Sequence, residues 1–187
     1  MGRIVVTEFV TLDGVMEDSG GPESWTSGFD TGAGFDEFKL DELLRSEALL
    51  LGRVTYELFA GWWPSEKGEF ADTFNGLPKY VVSSTLENPS WGDTRVLRSV
   101  EEVSKLRQDS AGNLVVHGSA QLARALIEHD LVDELRLMVY PVVAGSGKRL
   151  FGETSAQKRF ALADTKLLGA GVAILIYRPL AEAGKAY

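Results

Sequence analysis

The chain has 187 residues, of which 44% are hydrophobic and 25% charged, a composition typical of one globular domain with an ordinary core. Its formal net charge of -8, without a long Lys/Arg run, argues against binding nucleic acid or an anionic membrane surface, since both require clustered cations. The chain has no cysteine, which excludes disulfides, thiolate catalysis and Cys-ligated metal sites. It also lacks a signal-peptide segment at the N-terminus and any apolar stretch of about 18 residues, so we expect a cytoplasmic protein.

The first part of the chain predicts strands and helices in alternation. Residues 3–10 are rich in β-branched side chains and predict a buried strand. A long Gly-rich loop follows over 12–35, and leucines at i, i+3 and i+4 predict a helix over 36–46. Residues 48–51 predict a strand that ends at Gly52, followed by a helix over 54–60 and a second loop at 62–64.

The rest of the chain repeats this alternation and ends in a hairpin. Strands are predicted at 80–83, 95–97, 113–116 and 134–140, and a hairpin is predicted from 160–168 and 172–177. Ser99 and Glu102 fit a capping box at the start of a helix, and Leu122, Ala125 and Leu126 share one face of another. We therefore predict an α/β fold: one domain over 1–180 with a mostly parallel mixed sheet, flanking helices, a C-terminal antiparallel hairpin and a flexible tail at 181–187.

Two junctions combine a strand end, a glycine and a helix start. The first is Gly52-Arg53-Val-Thr55, and the second is His117-Gly118-Ser119. Free N–H groups and the helix dipole make such a point an anion site, and glycine allows a phosphate to approach the backbone. Either junction alone is more often an ordinary turn with a helix cap. Two in one parallel sheet favour a ligand, because ligands of open α/β sheets bind outside the carboxyl ends of the strands.

Several other side chains have both a structural and a functional interpretation. Asp13 either forms an Asp-Gly turn or hydrogen-bonds a ligand, and Asp36 either favours a helix start or lines a substrate pocket. The two histidines, His117 and His129, fit core or capping roles better than catalysis. No residue set has the spacing of a metal site. The aromatic residues either stack on a flat heterocycle or cover the sheet edge; they are Trp25, Tyr56, Phe59, Trp62 and Trp63.

Five ordered segments together resemble the dihydrofolate-reductase-like superfamily. They are TLDGVME at 11–17, LLLGRVTYELFAGWWP at 49–64, KYVVSST at 79–85, LVVHGSAQLARALIEHDLVDELRL at 114–137 and YPVVAGSGKRLF at 140–151. The chain is most similar to the reductase domain of the bifunctional riboflavin-biosynthesis deaminase/reductase, as a stand-alone member. It departs from folate reductases at Met138, where a Thr is expected.

This resemblance implies an NADPH site and a homodimer. Arg53 and Thr55 match positions that hold cofactor phosphates, while Ser83 and Ser84 match the strand end beside the adenosine 2′-phosphate. With the two junctions and the loop beside the nicotinamide, the predicted cofactor-binding residues are Gly52, Arg53, Thr55, Ser83, Ser84, Gly118, Ser119, Ala120, Gln121, Pro141 and Gly145.

The sequence thus predicts an NADPH-dependent reductase that transfers hydride to a small pteridine-like or aminouracil-like heterocycle. Asp13 is the predicted catalytic residue, and the predicted substrate-binding residues are Asp13, Gly14, Trp25, Asp36, Tyr56 and Phe59. One alternative is the 5-amino-6-(5-phosphoribosylamino)uracil reductase step of riboflavin biosynthesis. Alternatives of another class are a non-catalytic nucleotide-binding or sensing module, and a domain that binds nothing at these junctions.

Overall fold

The computed structural model of the chain describes residues 1–22 and 24–180. Its strands are Arg3–Thr11 (β1), Val15–Asp18 (β2), Gly21–Pro22 (β3), Ser46–Gly52 (β4), Lys79–Val82 (β5), Thr94–Leu97 (β6), Asn113–His117 (β7), Glu134–Tyr140 (β8), Lys148–Arg149 (β9), Phe160–Leu167 (β10) and Ala173–Pro179 (β11). Its α-helices are Ala33–Leu44 (α1), Arg53–Trp62 (α2), Glu69–Gly76 (α3), Val100–Asp109 (α4) and Ala120–Glu128 (α5).

One mixed sheet organises the molecule. It has eight strands in the order β10-β11-β8-β1-β7-β4-β5-β6. The run from β8 to β6 is parallel throughout, while β11 pairs antiparallel with both β8 and β10. The predicted α/β fold with its C-terminal hairpin is confirmed. Because parallel strands share one carboxyl edge, the loops after β4, β5 and β7 lie together there.

Apolar side chains cover both faces of this sheet. On one face Leu50, Leu114 and Val116 pack with Leu126 of α5 and Val103 of α4. On the other face Leu49 and Leu51 pack with Phe74 of α3 and with Tyr56 and Trp91. Successive residues of a strand point to opposite faces, so the run LLL at 49–51 is buried on both sides, as expected for a central parallel strand.

The sequence-based helix and strand boundaries hold within a few residues, with three differences. Helix α3 was not predicted, and neither was a second sheet in the order β3-β2-β9, which forms within the first predicted loop and the loop after β8. The hydrogen bonds of the predicted capping box were wrong. Ser99 is the N-cap of α4 but makes no side-chain cap hydrogen bond, and the Glu102 carboxylate accepts from the Arg98 N–H at 2.8 Å.

The predicted flexible tail at 181–187 lies outside the described residues, and the domain boundary at 180 stays a prediction. Within the described part of the chain, no helix is long and apolar enough to cross a membrane.

Candidate active site

A cleft of about 600 Å³ opens at the carboxyl ends of β4, β5 and β7. We call it the basic cleft, because Arg53, Arg98 and Lys148 line it. Nine of the eleven predicted cofactor-binding residues lie together in its wall: Gly52, Arg53, Thr55, Ser83, Ser84, Gly118, Ser119, Ala120 and Gln121. The structure therefore brings the two predicted junctions to one cleft.

The two junctions are joined to each other by a hydrogen bond. The Gly52 N–H donates to Ser119 Oγ over 2.9 Å. Ser119 has a left-handed φ of 62°, begins α5 as its N-cap and makes no side-chain cap bond to its own helix. The first N–H groups of α5 therefore lack a side-chain cap, and Ala120 and Gln121 line the cleft at this point.

Gly118 is confined by its backbone and by Thr55. Its φ is +57°, a conformation that favours glycine, and an added Cβ would lie 3.2 Å from Thr55 Cγ2. A larger residue would push Thr55 out of place where the strand β7 turns into α5. The glycine thus keeps the backbone close to the first junction.

The three cations come from separate elements. Arg53 of α2 lies 3.5 Å from Glu57, and its side chain is about half exposed. Arg98 follows β6 and donates to the Ser83 carbonyl over 3.0 Å. Lys148 pairs with Glu17 over 2.8 Å. Arg98 and Lys148 are absent from the sequence-predicted set, because nothing local in the sequence links them to the two junctions.

A second cleft of about 580 Å³ adjoins the first. We call it the aromatic cleft, because its walls are rings from β1 and from helices α1 to α3 and their connections: Phe9, Phe35, Phe59, Trp62, Trp63, Phe70 and Phe74. The clefts share four lining residues: Glu8, Phe9, Phe59 and Gly118. A ligand in one cleft therefore meets a ligand in the other along β1 and the start of the second junction.

Charged side chains of α1 and β8 form a hydrogen-bonded network that reaches the aromatic cleft at Lys39. Lys39 of α1 donates to Thr7 Oγ1 over 3.3 Å and forms an ion pair with Glu42. Glu42 also accepts from Arg136 over 3.0 Å. Burial alone would raise the pKa of Glu42, but the charge and hydrogen bond of Lys39, with the charge of Arg136, outweigh burial and lower the pKa below its usual range. Glu42 is therefore ionised, and its charge is paired.

His117 lies beside these charges at the end of β7. Its ring meets Phe74 edge-on with centroids 5.5 Å apart, and it lines the aromatic cleft. Burial, with the nearby positive charge of Lys39, lowers the pKa of His117 to about 3. The imidazole is therefore neutral, and its Nε2 is buried without a hydrogen-bond partner among the described residues.

Of the predicted substrate-binding residues, the structure brings two to the aromatic cleft. Asp36 and Phe59 line it, and Asp36 is exposed at the rim, at the start of α1. Trp62 and Trp63 line it too, and Trp63 also packs against the core at Phe74, so the ligand-facing role of these two rings stays a prediction.

Asp13 lies outside both clefts, in the turn after β1. Its carboxylate accepts from the Thr11 hydroxyl at 2.6 Å and from the N–H groups of Ala144 and Gly145 at 3.1 and 3.0 Å. The hydroxyl bond, followed by the backbone bonds, lowers the pKa of Asp13 to about 2. Its predicted catalytic role stays a prediction, whereas the observed geometry ties two loops together.

The remaining predicted residues also lie elsewhere. Tyr56 is buried in the core and its hydroxyl accepts from the Trp91 N–H over 2.9 Å. Trp25 packs edge-on against Tyr140, with centroids 5.2 Å apart, near the C-terminal hairpin. Neither cleft includes Gly14, Pro141 or Gly145 in its lining.

The model of the RibD C-terminal domain family matches residues 3–174. The chain belongs to the RibD C-terminal domain family. It is 32% identical over 184 residues to YyaP of Bacillus subtilis, with 94% of each chain covered. It is 29% identical over 167 residues to YwjB of the same organism, with 87% of this chain and 90% of YwjB covered.

Solved structures share the fold of this RibD-type domain at low identity. A riboflavin-biosynthesis-type protein of Shewanella sp. PV-4 has a TM-score of 0.79 at 18% identity, over 96% of this chain and 99% of that one. The deaminase/5-amino-6-(5-phosphoribosylamino)uracil reductase of Thermotoga maritima has 0.69 at 15%, over 96% and 57%. Dihydrofolate reductase of Enterococcus faecalis, complexed with NADP(H), has 0.59 at 15%, over 95% and 96%. Family and fold together support an oxidoreductase of the riboflavin-reductase type.

Proposed function

We propose that this chain is an NADPH-dependent reductase that transfers hydride to a small heterocycle of the pteridine or aminouracil type. The observation that carries the proposal is the meeting of the two clefts. The basic cleft joins two helix starts with three cations, and it opens into an aromatic cleft along Phe9, Phe59 and Gly118. This arrangement suits a dinucleotide phosphate chain on one side and a flat ring on the other.

The residues of the basic cleft fit a nicotinamide cofactor. The helix starts at Arg53 and at Ala120 would hold the pyrophosphate, while Ser83, Ser84 and Arg98 would hold an adenosine 2′-phosphate. Gly118 adds no side chain at the second helix start, where an added Cβ would lie 3.2 Å from Thr55 Cγ2. When bound, the cofactor would supply the hydride.

The protein's own part is to bind, orient and exclude water. Phe9 and Phe59 wall both clefts where the two ligands would meet, so they would keep water from the reacting atoms. His117, held neutral by its surroundings, has the chemistry to make one hydrogen bond to a substrate ring at Nε2. The alternative substrate, 5-amino-6-(5-phosphoribosylamino)uracil, gains support from the family match and from the name of the T. maritima neighbour.

The first test is calorimetric titration of wild type and Arg53→Ala with NADPH and NADH. We expect NADPH to bind more tightly than NADH, and Arg53→Ala to weaken NADPH binding on the order of 10- to 100-fold, the worth of a charged hydrogen bond. The matched control is Arg45→Ala. Arg45 also pairs with an acid four residues away on its helix, Asp41 at 2.9 Å, but lies outside both clefts.

Two results would contradict the proposal. One is folded wild-type protein that binds neither nucleotide, and the other is an equal loss of NADPH affinity in the two arginine variants. Tight NADPH binding without oxidation of NADPH by any pteridine or aminouracil would favour the non-catalytic module instead.

A further inference from the structure

The two clefts differ in charge. Three cationic side chains line the basic cleft, Arg53, Arg98 and Lys148, against two acids. The aromatic cleft has the opposite balance, with one lysine against three acids: Glu8, Asp36 and Glu37. Of these acids, Asp36 and Glu37 are exposed at the start of α1, within the lining of this cleft.

The single lysine of the aromatic cleft is already engaged. Lys39 is buried, and its ammonium group is shared between Glu42 and Thr7. Glu42 is buried and pairs with both Lys39 and Arg136, so the loss of Lys39 would leave a buried carboxylate with one cationic partner. Recruiting Lys39 to a ligand phosphate would weaken that pair. Among the described lining residues, no arginine takes its place.

The walls of the aromatic cleft suit a flat ring. Trp62 and Trp63 have ring centroids 4.9 Å apart, and Phe59 and Phe74 have centroids 5.7 Å apart. Such surfaces stabilise a heterocycle by stacking and by excluding water. These rings offer a phosphate dianion indole N–H groups but no charged donor, and its desolvation requires several charged donors.

We propose that the substrate in the aromatic cleft is a flat heterocycle that carries no phosphate group. This inference rests on the proposed reductase function and narrows its substrate class. It separates this chain from the T. maritima neighbour, whose name gives a phosphoribosyl substrate. Phosphate recognition then belongs to the basic cleft alone, where it serves the cofactor.

The test compares matched ligands on protein loaded with NADP⁺, which prevents turnover. The two pairs are dihydroneopterin with its monophosphate, and 5-amino-6-(ribosylamino)uracil with its 5′-phosphate. We expect at least one unphosphorylated ligand to bind, with its phosphate ester at least tenfold weaker by calorimetry. A phosphate ester that binds as tightly as its partner overturns the inference, and so does the failure of both unphosphorylated ligands on protein that binds NADP⁺.

A rim variant tests the electrostatic cause. The double variant Asp36→Asn, Glu37→Gln removes both rim charges. We expect it to reduce the affinity ratio of the unphosphorylated to the phosphorylated ligand about fivefold at low salt, and by less at high salt. Asp41→Asn is the control, because Asp41 is an exposed acid of the same helix outside the cleft. If the affinity ratio is unchanged in the rim variant, or changes equally in Asp41→Asn, the charges of Asp36 and Glu37 are not the cause of the preference. If the wild-type protein failed to bind NADP⁺, that result would contradict the proposed reductase function and not the inference about the phosphate group.

Discussion

At the scale of single residues, His117 couples the aromatic cleft to acid stability. The folded pKa of His117, about 3, lies below the ordinary histidine pKa of 6.5, because burial disfavours the charged ring. Between these values the unfolded chain binds a proton that the folded chain does not. The contribution of His117 to the unfolding free energy is therefore complete at neutral pH and decreases as the pH falls below about 6.5.

We expect His117→Gln to flatten this pH dependence. Wild type should lose on the order of 1–2 kcal/mol of unfolding free energy from His117 between pH 7 and pH 5, and the variant should lack that loss. Urea unfolding at the two pH values measures it. His129→Gln is the matched control, because His129 is exposed at the end of α5. Equal pH dependence in wild type and His117→Gln would refute this role of burial.

The residues that the sequence could predict are those with a local signal. Gly52, Arg53, Gly118 and Ser119 stand where a strand turns into a helix, and the structure brings them to one cleft. Lys39 and its partner Glu42 had no such signal, because their burial depends on Arg136, far along the chain. Lysine and glutamate are seldom fully buried, yet α1 buries Lys39 and Glu42 while Leu44 is 62% exposed.

At the scale of elements, the turn from β7 to α5 sets the geometry of the basic cleft. Ser119 combines an unfavourable left-handed φ with a hydrogen bond from the Gly52 N–H. Ser119→Ala keeps the strain and loses the bond, so it should lower the unfolding free energy by about 1 kcal/mol. Ser119→Gly loses the bond but relieves the strain, by about 1–2 kcal/mol.

The comparison of these two variants isolates the strain. We expect Ser119→Gly to be close to wild type in chemical denaturation and Ser119→Ala to be the less stable of the two. If the alanine variant were as stable as the glycine variant, the left-handed turn would carry no energetic cost, contrary to this account.

Elements with a clear apolar pattern were predictable, whereas α3 and the small second sheet were not. The strands at 3–10 and 134–140 and the helix after Ser99 follow clear apolar patterns, and the structure has all three. Helix α3 has only eight residues and ends at a glycine, so its pattern is weak. The small sheet pairs Glu17 of β2 with Lys148 of β9, 131 residues apart, and no local pattern reveals such a pairing.

At the scale of the molecule, both clefts depend on the same sheet edge. A ligand that binds only the folded chain stabilises all of it, by about 2.7 kcal/mol at one hundred times its dissociation constant. For a domain of this size that corresponds to a rise in Tm of about 5–10 °C.

We therefore expect NADPH at that concentration to raise the Tm of wild type by this amount in calorimetry. Arg53→Ala at the same NADPH concentration should show a smaller rise, because its dissociation constant is larger. A wild-type Tm that does not respond to NADPH would contradict the proposed cofactor site.

The homodimer implied by the family resemblance stays a prediction.

The alternation of strands and helices predicted a mostly parallel sheet, but not its strand order. Pairing between β1 and β7 joins residues such as Val6 and Val116, and the sequence offers no register signal at that distance. The hairpin was predictable because its two strands are adjacent in the chain. Its place beside β8 was not.

The pairing of β11 with β8 affects how the chain folds during translation. The interior strand β8 pairs with β1 on one side and with β11 on the other, and β11 is Ala173–Pro179. During translation, β8 therefore leaves the ribosome more than thirty residues before the strand that covers its second edge. A nascent chain at that stage exposes an open strand edge with apolar side chains, so it is prone to aggregation and a chaperone would protect it during this interval.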